Sequence, residues 1–238
     1  MDISLISSFI QIIQQVVIKH LKNGIYFPVL FYLIYYITNN LLLSIIIIMK
    51  LYPTNYFYWF GNKYNYLNIP KKYNFIKQFV RLTDTGHFVS FLYIINPEYL
   101  PLAHNIHFLI TFGFWTGRYL GMRDTDYFTK DPDIIEWYTT KWSYISHGLP
   151  YLMFLRQMIL IEKCYEFGYE TIWYSYLWVY TWFVCIYTPW RMYTGDVIYT
   201  ILSDDIPMKR RLGFIGIIHF ILLMANFTGY MVNRIKNE

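Results

Sequence analysis

Six stretches of the chain, at about 25–49, 76–96, 101–119, 141–161, 171–190 and 212–232, each run apolar for roughly twenty residues. That is the length an α-helix needs to cross the hydrocarbon layer of a bilayer, about 30 Å thick. Breakers and charges fall between the runs. They include Lys71-Lys72 after Pro70, Asn96-Pro97-Glu98, the acidic stretch Asp124 to Glu136, Glu162 to Glu170, and Ser203-Asp204-Asp205. In lipid every backbone polar group must find its partner within the protein, so apolar runs of this length read as helices. The expected fold is all-α, a polytopic membrane bundle of six transmembrane helices. No internal repeat and no low-complexity linker divides the chain, so residues 25–238 read as one membrane domain.

Composition points the same way. Of 238 residues, 56% are hydrophobic, 22% aromatic and only 15% charged. Soluble domains average about 45–50% apolar and about 25% charged. The surplus apolar surface calls for a bilayer and excludes a disordered chain. Net charge is +5, yet no run of like charge forms a nucleic-acid arm, so no nucleic-acid partner is expected. Cys164 and Cys185 have neither the number nor the spacing of a disulfide framework or a zinc site. The bias toward Ile, Tyr, Asn, Phe and Lys is what AT-rich coding produces. The 26 tyrosines are therefore weak evidence for a cofactor box.

The N-terminal segment, 1–24, is different. Residues 4–19 are apolar but broken by Gln11, Gln14 and Gln15, which give one polar side. An interfacial amphipathic helix is the favoured reading, and a seventh span is the alternative. No cleavable signal peptide is evident. Thirteen Lys and Arg residues fall in the first, third and fifth loops, against five in the termini and the even-numbered loops. The positive-inside rule then puts the odd-numbered loops in the cytoplasm and both termini outside.

Polar groups within spans are costly and each needs a reason. The second span carries Arg81, Thr83, Asp84, Thr85 and His87; the third, His104, Asn105 and His107; the fourth, Ser146, His147 and Arg156; the sixth, His219 and Asn226. Spans two, four and six enter from the same, basic face. Thr83, His147 and His219 each come about six or seven residues after entry, roughly 10 Å deep at 1.5 Å per residue. A hydroxyl and an imidazole at one depth form the minimum set for nucleophilic acyl chemistry. A Thr hydroxyl needs an adjacent base to take its proton as it attacks a carbonyl, and a neutral His is suited to that task. A cavity at this depth would admit lipid-like acyl esters from the side and water from the polar face.

Each group also has an ordinary structural role. Thr83 can bond the carbonyl one turn back, and His147 can be an interhelical donor. His104 and His107 share a helix face and could ligate metal, but a position near the opposite membrane face makes an interfacial role cheaper. A desaturase or hydroxylase needs several histidine clusters, and the chain has one His-x-x-His, so no metal is expected. Arg156 reads as snorkelling or paired. Asp84 reads as paired with Arg81 across a turn, or as orienting a histidine.

Several stretches resemble the androgen-induced protein family, which takes in the androgen-dependent TFPI-regulating protein. Phe79-Val80-Arg81-Leu82-Thr83-Asp84 is similar to that family's segment around its catalytic Thr. Ser146-His147-Gly148-Leu149-Pro150, followed by Leu155-Arg156-Gln157-Met158, is similar to its fourth span. Trp182 and Trp190 to Tyr193 resemble an aromatic segment closing the fifth span, although the Gly and Pro placement around Thr188-Pro189 differs. Gly229 and Asn233 match a Gly-x-x-x-Asn near the end of the sixth. The family's fourth span has two histidines three apart, and this chain has only His147. A gap-free match back from Met158 sets His147 at the catalytic position. A match on His-Gly sets it at the other and leaves Pro150 at the catalytic one. The resemblance covers about residues 25–233, mostly as architecture, and the first loop, about 51–75, is longer than the family's.

The resemblance implies a multipass hydrolase of fatty acid esters of hydroxy fatty acids, with a Thr nucleophile, a His and no cofactor. Thr83 and His147 would carry the reaction; Asp84, Thr85, His87 and His219 are supporting candidates. The expected partners are membrane lipids and a fatty acyl ester substrate, and the expected location is the endoplasmic reticulum or another endomembrane. The competing reading is a non-catalytic six-helix membrane protein, a transporter or an assembly component. No inverted repeat or broken-helix pair is visible to favour the transporter.

Overall fold

The computed structural model describes residues 26–50, 69–77, 79–120, 143–161 and 163–238. The expected amphipathic segment within 1–24, most of the first loop and the basic residues of the third loop from Arg123 to Lys141 lie outside these residues. Among the described residues there are helices and turns and no strand, so the chain is all-α.

The first apolar run is not one helix. It splits into α1, Tyr26–Thr38, and α2, Leu41–Lys50. Asn39 takes a left-handed conformation with φ of 46°, which Asn tolerates better than most residues. The Asn40 side-chain oxygen accepts the Leu43 N–H at 2.9 Å and so caps α2. One Asn ends a helix and the next starts another. The pieces, 13 and 10 residues long, reach about 20 and 15 Å. Neither crosses a bilayer alone, which corrects the expected continuous span over 25–49.

The second run also begins differently. A 3₁₀ turn, Lys71–Tyr73, and a single helical turn, Asn74–Lys77, lead into a bend. Helix α3, Leu82–Ile95, starts only there. Arg81 is extended, and Asp84 Oδ2 accepts its backbone N–H at 3.3 Å. A carboxylate in the first helical turn also suits the positive end of the helix dipole. Thr83 therefore lies in the first turn of α3, not two turns inside a helix starting near 76.

The remaining runs form their helices. Asn96-Pro97 ends α3, and α4 follows as Leu100–Tyr119 with Pro101 in its first turn, where the missing N–H costs nothing. Helix α5 is Ser143–Leu160 and contains Pro150. Helix α6, Tyr169–Thr181, passes through a π-helical turn, Trp182–Tyr187, into α7, Thr188–Thr194. Gly195, at φ of 71°, closes α7 with its N–H on the Arg191 carbonyl. Helix α8 is Met208–Asn237. Its stretch Met208–Lys236, with mean hydropathy of 1.8, is the one helical stretch among the described residues long and apolar enough by length and composition to cross a membrane.

Helix α4 is the axis, packed by α3, α5, α6 and α8. Its first half is enclosed at every position but Leu102: Leu100, Ala103 and Ile106 share one core with Val89, Phe154, Leu222 and Ala225, all with no exposed surface. His104, Asn105 and His107 are enclosed with them, at 0%, 0% and 1% exposure. This corrects the interfacial placement of the two histidines. The reason is that neighbouring elements supply hydrogen-bond partners to His107 and Asn105 and the Tyr151 and Phe167 rings to His104, whose Nδ1 lies 3.2 Å from Asn105 Oδ1 and whose Nε2 has no hydrogen-bond partner. Ser90 Oγ lies 2.6 Å from His107 Nε2, and the Asn105 amide donates to Ser175 Oγ at 3.1 Å and to Asn226 Oδ1 at 3.2 Å. The Asn226 amide in turn donates to the Phe167 carbonyl. The bonds among Ser90, Asn105, His107, Ser175 and Asn226 favour one packing of the helices. Two glycines permit it. A Cβ on Gly86 would come within 2.3 Å of Ile110, and one on Gly229 within 2.2 Å of the Phe167 ring. Asn233, the partner of Gly229 in the Gly-x-x-x-Asn pair, donates to the Tyr165 carbonyl.

Candidate active site

Past Thr111 the neighbours of α4 draw apart, and its second half lines a cavity of about 490 Å³. Ligand pockets typically run to about 300–1,000 Å³. Gly113, Phe114, Gly117 and Arg118 of α4 form one wall. The start of α3, the start of α5, the later part of α6, the π-helical turn, Arg191 of α7, residues 198–202 and the first half of α8 supply the rest. Most of the lining is apolar, with Arg81, Arg118, Arg191 and Arg211 the cations on it.

Within this cavity Thr83 Oγ1 lies 3.3 Å from His147 Nε2. The opposite ring nitrogen fixes the direction of that bond. His147 Nδ1 lies 2.6 Å from the Ser143 carbonyl oxygen, which can only accept. Nδ1 therefore carries the proton of the neutral ring, and Nε2 presents a lone pair to the Thr83 hydroxyl. Ser146 Oγ lies 3.2 Å from the same Nδ1. The imidazole stacks on Phe114, with centroids 4.1 Å apart and planes 11° from parallel. Hydroxyl, imidazole and an orienting acceptor thus stand in one line, with a backbone carbonyl in the third place.

The backbone of α5 is adapted at this point. Pro150 has no N–H for the Ser146 carbonyl, one turn before it. One residue on, the His147 carbonyl accepts the Thr111 hydroxyl of α4. Thr111 thereby ties the base to the enclosed half of the axis helix.

The supporting residues separate by their partners. Asp84, His87 and His219 all line the cavity. Asp84 caps α3 through Arg81, as described. Thr85 does not line it: its hydroxyl donates to the Leu82 carbonyl at 2.8 Å and accepts the Trp178 indole N–H at 3.3 Å. His219 Nδ1 donates to the Ile215 carbonyl at 2.7 Å, which leaves Nε2 to accept the Tyr180 hydroxyl at 2.9 Å. The structure brings Thr83, His147 and His219 to one cavity, but only the first two touch. Arg156 is exposed on α5.

Residues that composition and spacing do not single out hold the nucleophile's helix in place. Trp182 Nε1 donates to the Val80 carbonyl at 2.7 Å. Leu82 N–H donates to the Tyr199 hydroxyl at 3.2 Å. Lys77 Nζ meets Asp196 Oδ2 at 2.8 Å with both side chains buried, and Trp190 Nε1 donates to that oxygen at 2.9 Å. Trp182, Tyr199 and Asp196 each lie more than a hundred residues in sequence from Val80, Leu82 and Lys77, which they hold. Trp182 and Trp190 fall in the aromatic stretch noted above, which is the one signal for them.

Among the described residues no group of three or more His, Cys, Asp or Glu side chains is placed to hold a metal. Cys164 and Cys185 are both exposed. No known family model, curated protein or solved structure matches the chain.

Proposed function

We propose that this protein is an intramembrane hydrolase of carboxylic acyl esters, with Thr83 as nucleophile and His147 as general base. The observation that carries the reading is the 3.3 Å contact of Thr83 Oγ1 with His147 Nε2 inside a largely apolar cavity. Thr83 Oγ1 attacks the ester carbonyl carbon and gives its proton to Nε2, while the carbonyl π electrons move onto oxygen. Collapse of that adduct expels the alcohol oxygen, which takes the proton back from His147. The product is an acyl ester on Thr83. Water then attacks this ester, again losing its proton to His147, and the fatty acid leaves with Thr83 restored.

The resemblance to the androgen-induced protein family suggests the substrate, a fatty acid ester of a hydroxy fatty acid, and an endomembrane location. Its catalytic-histidine register set from Met158 agrees with the side chain that reaches Thr83. Large apolar side chains stand exposed on α1, α3, α5, α6 and α8, among them Tyr36, Ile37, Phe88, Leu152, Trp173, Leu177, Phe220 and Phe227. Such a surface supports a multipass reading, with the broken first run as a re-entrant or paired element. The test is ester hydrolysis and labelling by a fluorophosphonate probe in purified protein. Labelling that disappears in Thr83→Ala, with hydrolysis lost in both Thr83→Ala and His147→Ala, supports the enzyme. Absence of labelling and hydrolysis in the parent protein favours the non-catalytic alternative.

A further inference from the structure

The four arginines on the cavity differ in what they already serve. Arg81 begins α3 with Asp84, and Arg118 stands over the Phe114 and Tyr144 rings. Arg191 gives Nη1 to the Leu202 carbonyl at 2.7 Å and Nη2 to Asp204 Oδ2 at 2.5 Å. Arg211 is placed differently. Its Nη1 lies 3.8 Å from Asp204 Oδ1, too far for a hydrogen bond. Its Nε is buried and has no hydrogen-bond partner among the described residues. Asp204 already answers Arg191, and Asp84 is the one acid among the described lining residues.

Helix α8 gains nothing from this cation. The first turn of a helix favours acidic side chains, but α8 has none there and opens Met208-Lys209-Arg210-Arg211. Lys209 and Arg210 are exposed and lie off the cavity, whereas Arg211 lines it. Beyond Arg211 the same face of α8 turns apolar. Ile215, Ile218 and Ile221 also line the cavity and follow at helical spacing. That stripe runs about 15 Å from Arg211 at 1.5 Å per residue. One wall of the cavity is therefore cationic at its head and apolar along its length.

We infer that Arg211 reads an anionic head group, a carboxylate or a phosphate, on an amphiphile whose chain lies along the stripe of Ile215, Ile218 and Ile221. A guanidinium offers five N–H donors in a planar fork that suits either oxyanion. Such a head group supplies the partner that the buried Nε lacks. None of the stretches that carry the family resemblance includes Arg211. That the amphiphile is a substrate rests on the hydrolase reading above. On that reading the enzyme favours acyl esters that carry an anionic group apart from the ester, and Arg211 sets this preference.

The experiment titrates the full-length protein in phosphatidylcholine nanodiscs with decanoate, decyl phosphate and decanol by calorimetry, and subtracts partition into empty nanodiscs. None of the three carries an ester, so binding is read without turnover. The parent is expected to bind an anion about ten- to hundredfold tighter than decanol, the margin of a charge-assisted hydrogen bond. The tighter of the two anions names the head group. Arg211→Gln should erase the margin and leave decanol binding unchanged. Arg211→Lys should keep part of it, and Arg210→Gln, one residue away but off the cavity, should keep all of it. A parent that binds neither anion better than decanol overturns the assignment. So does a margin that survives Arg211→Gln, one that falls equally in Arg210→Gln, or an equal weakening of decanol in Arg211→Gln. The preference as substrate is read from kcat/KM for a decanoyl ester of an ω-hydroxyalkyl chain ending in the favoured head group, against the same ester ending in a hydroxyl. Arg211→Gln should lower the first and spare the second. Thr83→Ala keeps the two ideas apart, since it should bind the anion as the parent does and hydrolyse neither ester. If it still hydrolyses them, the Thr83 reading falls, while the anion margin still stands or falls with Arg211. If the parent hydrolyses neither, the hydrolase reading and the substrate preference fall together.

Discussion

Thr83 points its hydroxyl at His147 Nε2 across 3.3 Å because Nδ1 is committed to the Ser143 carbonyl. The carbonyl does the orienting that a carboxylate does in other hydroxyl–imidazole sites, and it adds no charge to a low-dielectric region. The base is active only while Nε2 keeps its lone pair. Ester hydrolysis is therefore expected to fall on acidification, one decade per pH unit once the imidazole takes a proton, and to be level above that. His147→Gln keeps size and polarity but supplies no base, and should lose about 10²–10⁴ in kcat. A pH–rate profile with no acidic limb, or an active His147→Gln variant, rejects the role.

Thr111→Val tests how the base is held. The change keeps shape and removes the hydroxyl that donates to the His147 carbonyl near Pro150. A lost hydrogen bond of this kind costs about 1 kcal/mol in stability. Misplacement of a catalytic group from a distance can cost up to about 10²-fold in rate. The expectation is a clear fall in kcat with KM unchanged and a small drop in Tm. A Tm drop with an intact kcat would mean that Thr111 serves packing alone.

Gly113 tests whether the cavity holds the acyl chain. It lines the cavity on α4, and a Cβ built there meets nothing within 4 Å. Gly113→Phe should fold as well as the parent, since the new ring enters open space. It should raise KM steeply for long acyl chains and little for short ones. Chain-length profiles of the parent and the variant, measured side by side, decide it. Parallel profiles would place the chain elsewhere.

How far the sequence shows all this depends on which forces act locally. Helices α4, α5 and α8 are legible because each is an apolar run with its own stop signals, Asn96-Pro97 or Pro207 among them. Asn39-Asn40 was also a stop signal, but a twenty-residue apolar window absorbs two Asn residues without notice. The start of α3 at Leu82 depends on Asp84 capping Arg81, and a hydropathy window reads both merely as charges in a span. Depth alone suggested that Thr83 and His147 share a layer, whereas their contact needs the pairing of α3 with α5. His104 and His107 read as interfacial because Tyr151, Phe154 and Phe167, whose rings pack on them, are distant in sequence. Tyr199 among 26 tyrosines carries no mark at all.

Gly229→Ala measures the packing of α8 against the 165–168 segment. The added methyl would sit 2.2–2.5 Å from three atoms of the Phe167 ring. Phe167 is itself buried against His104, with ring centroids 5.3 Å apart and near perpendicular, so it has little room to give. Overpacking of this kind costs about 1–3 kcal/mol. The variant should show a lower Tm in detergent and near-normal kcat for the fraction that folds, since the cavity lies at the other end of α4. An unchanged Tm would show that the ring moves freely.

The pair Lys77–Asp196 is the last structural commitment that the site makes, and a double-mutant cycle can weigh it. Both side chains are buried, at 0% and 1% exposure, and Asp196 also accepts the Trp190 indole. Removing one partner of a buried pair strands the other charge, typically at about 3–5 kcal/mol. Lys77→Met leaves the carboxylate without its ammonium; Asp196→Asn leaves the ammonium without its carboxylate. The double variant removes both charges and keeps an acceptor for Trp190, so it should be more stable than either single variant. The coupling is read from Tm or unfolding midpoints of all four proteins in one detergent. The pair joins the lead-in of α3 to the turn after α7, so each single variant should also lose activity, and the double variant should recover part of it. Strict additivity of the two single changes would mean that the charges do not depend on each other, and that the lead-in to Thr83 is held by Trp182 and Tyr199 alone.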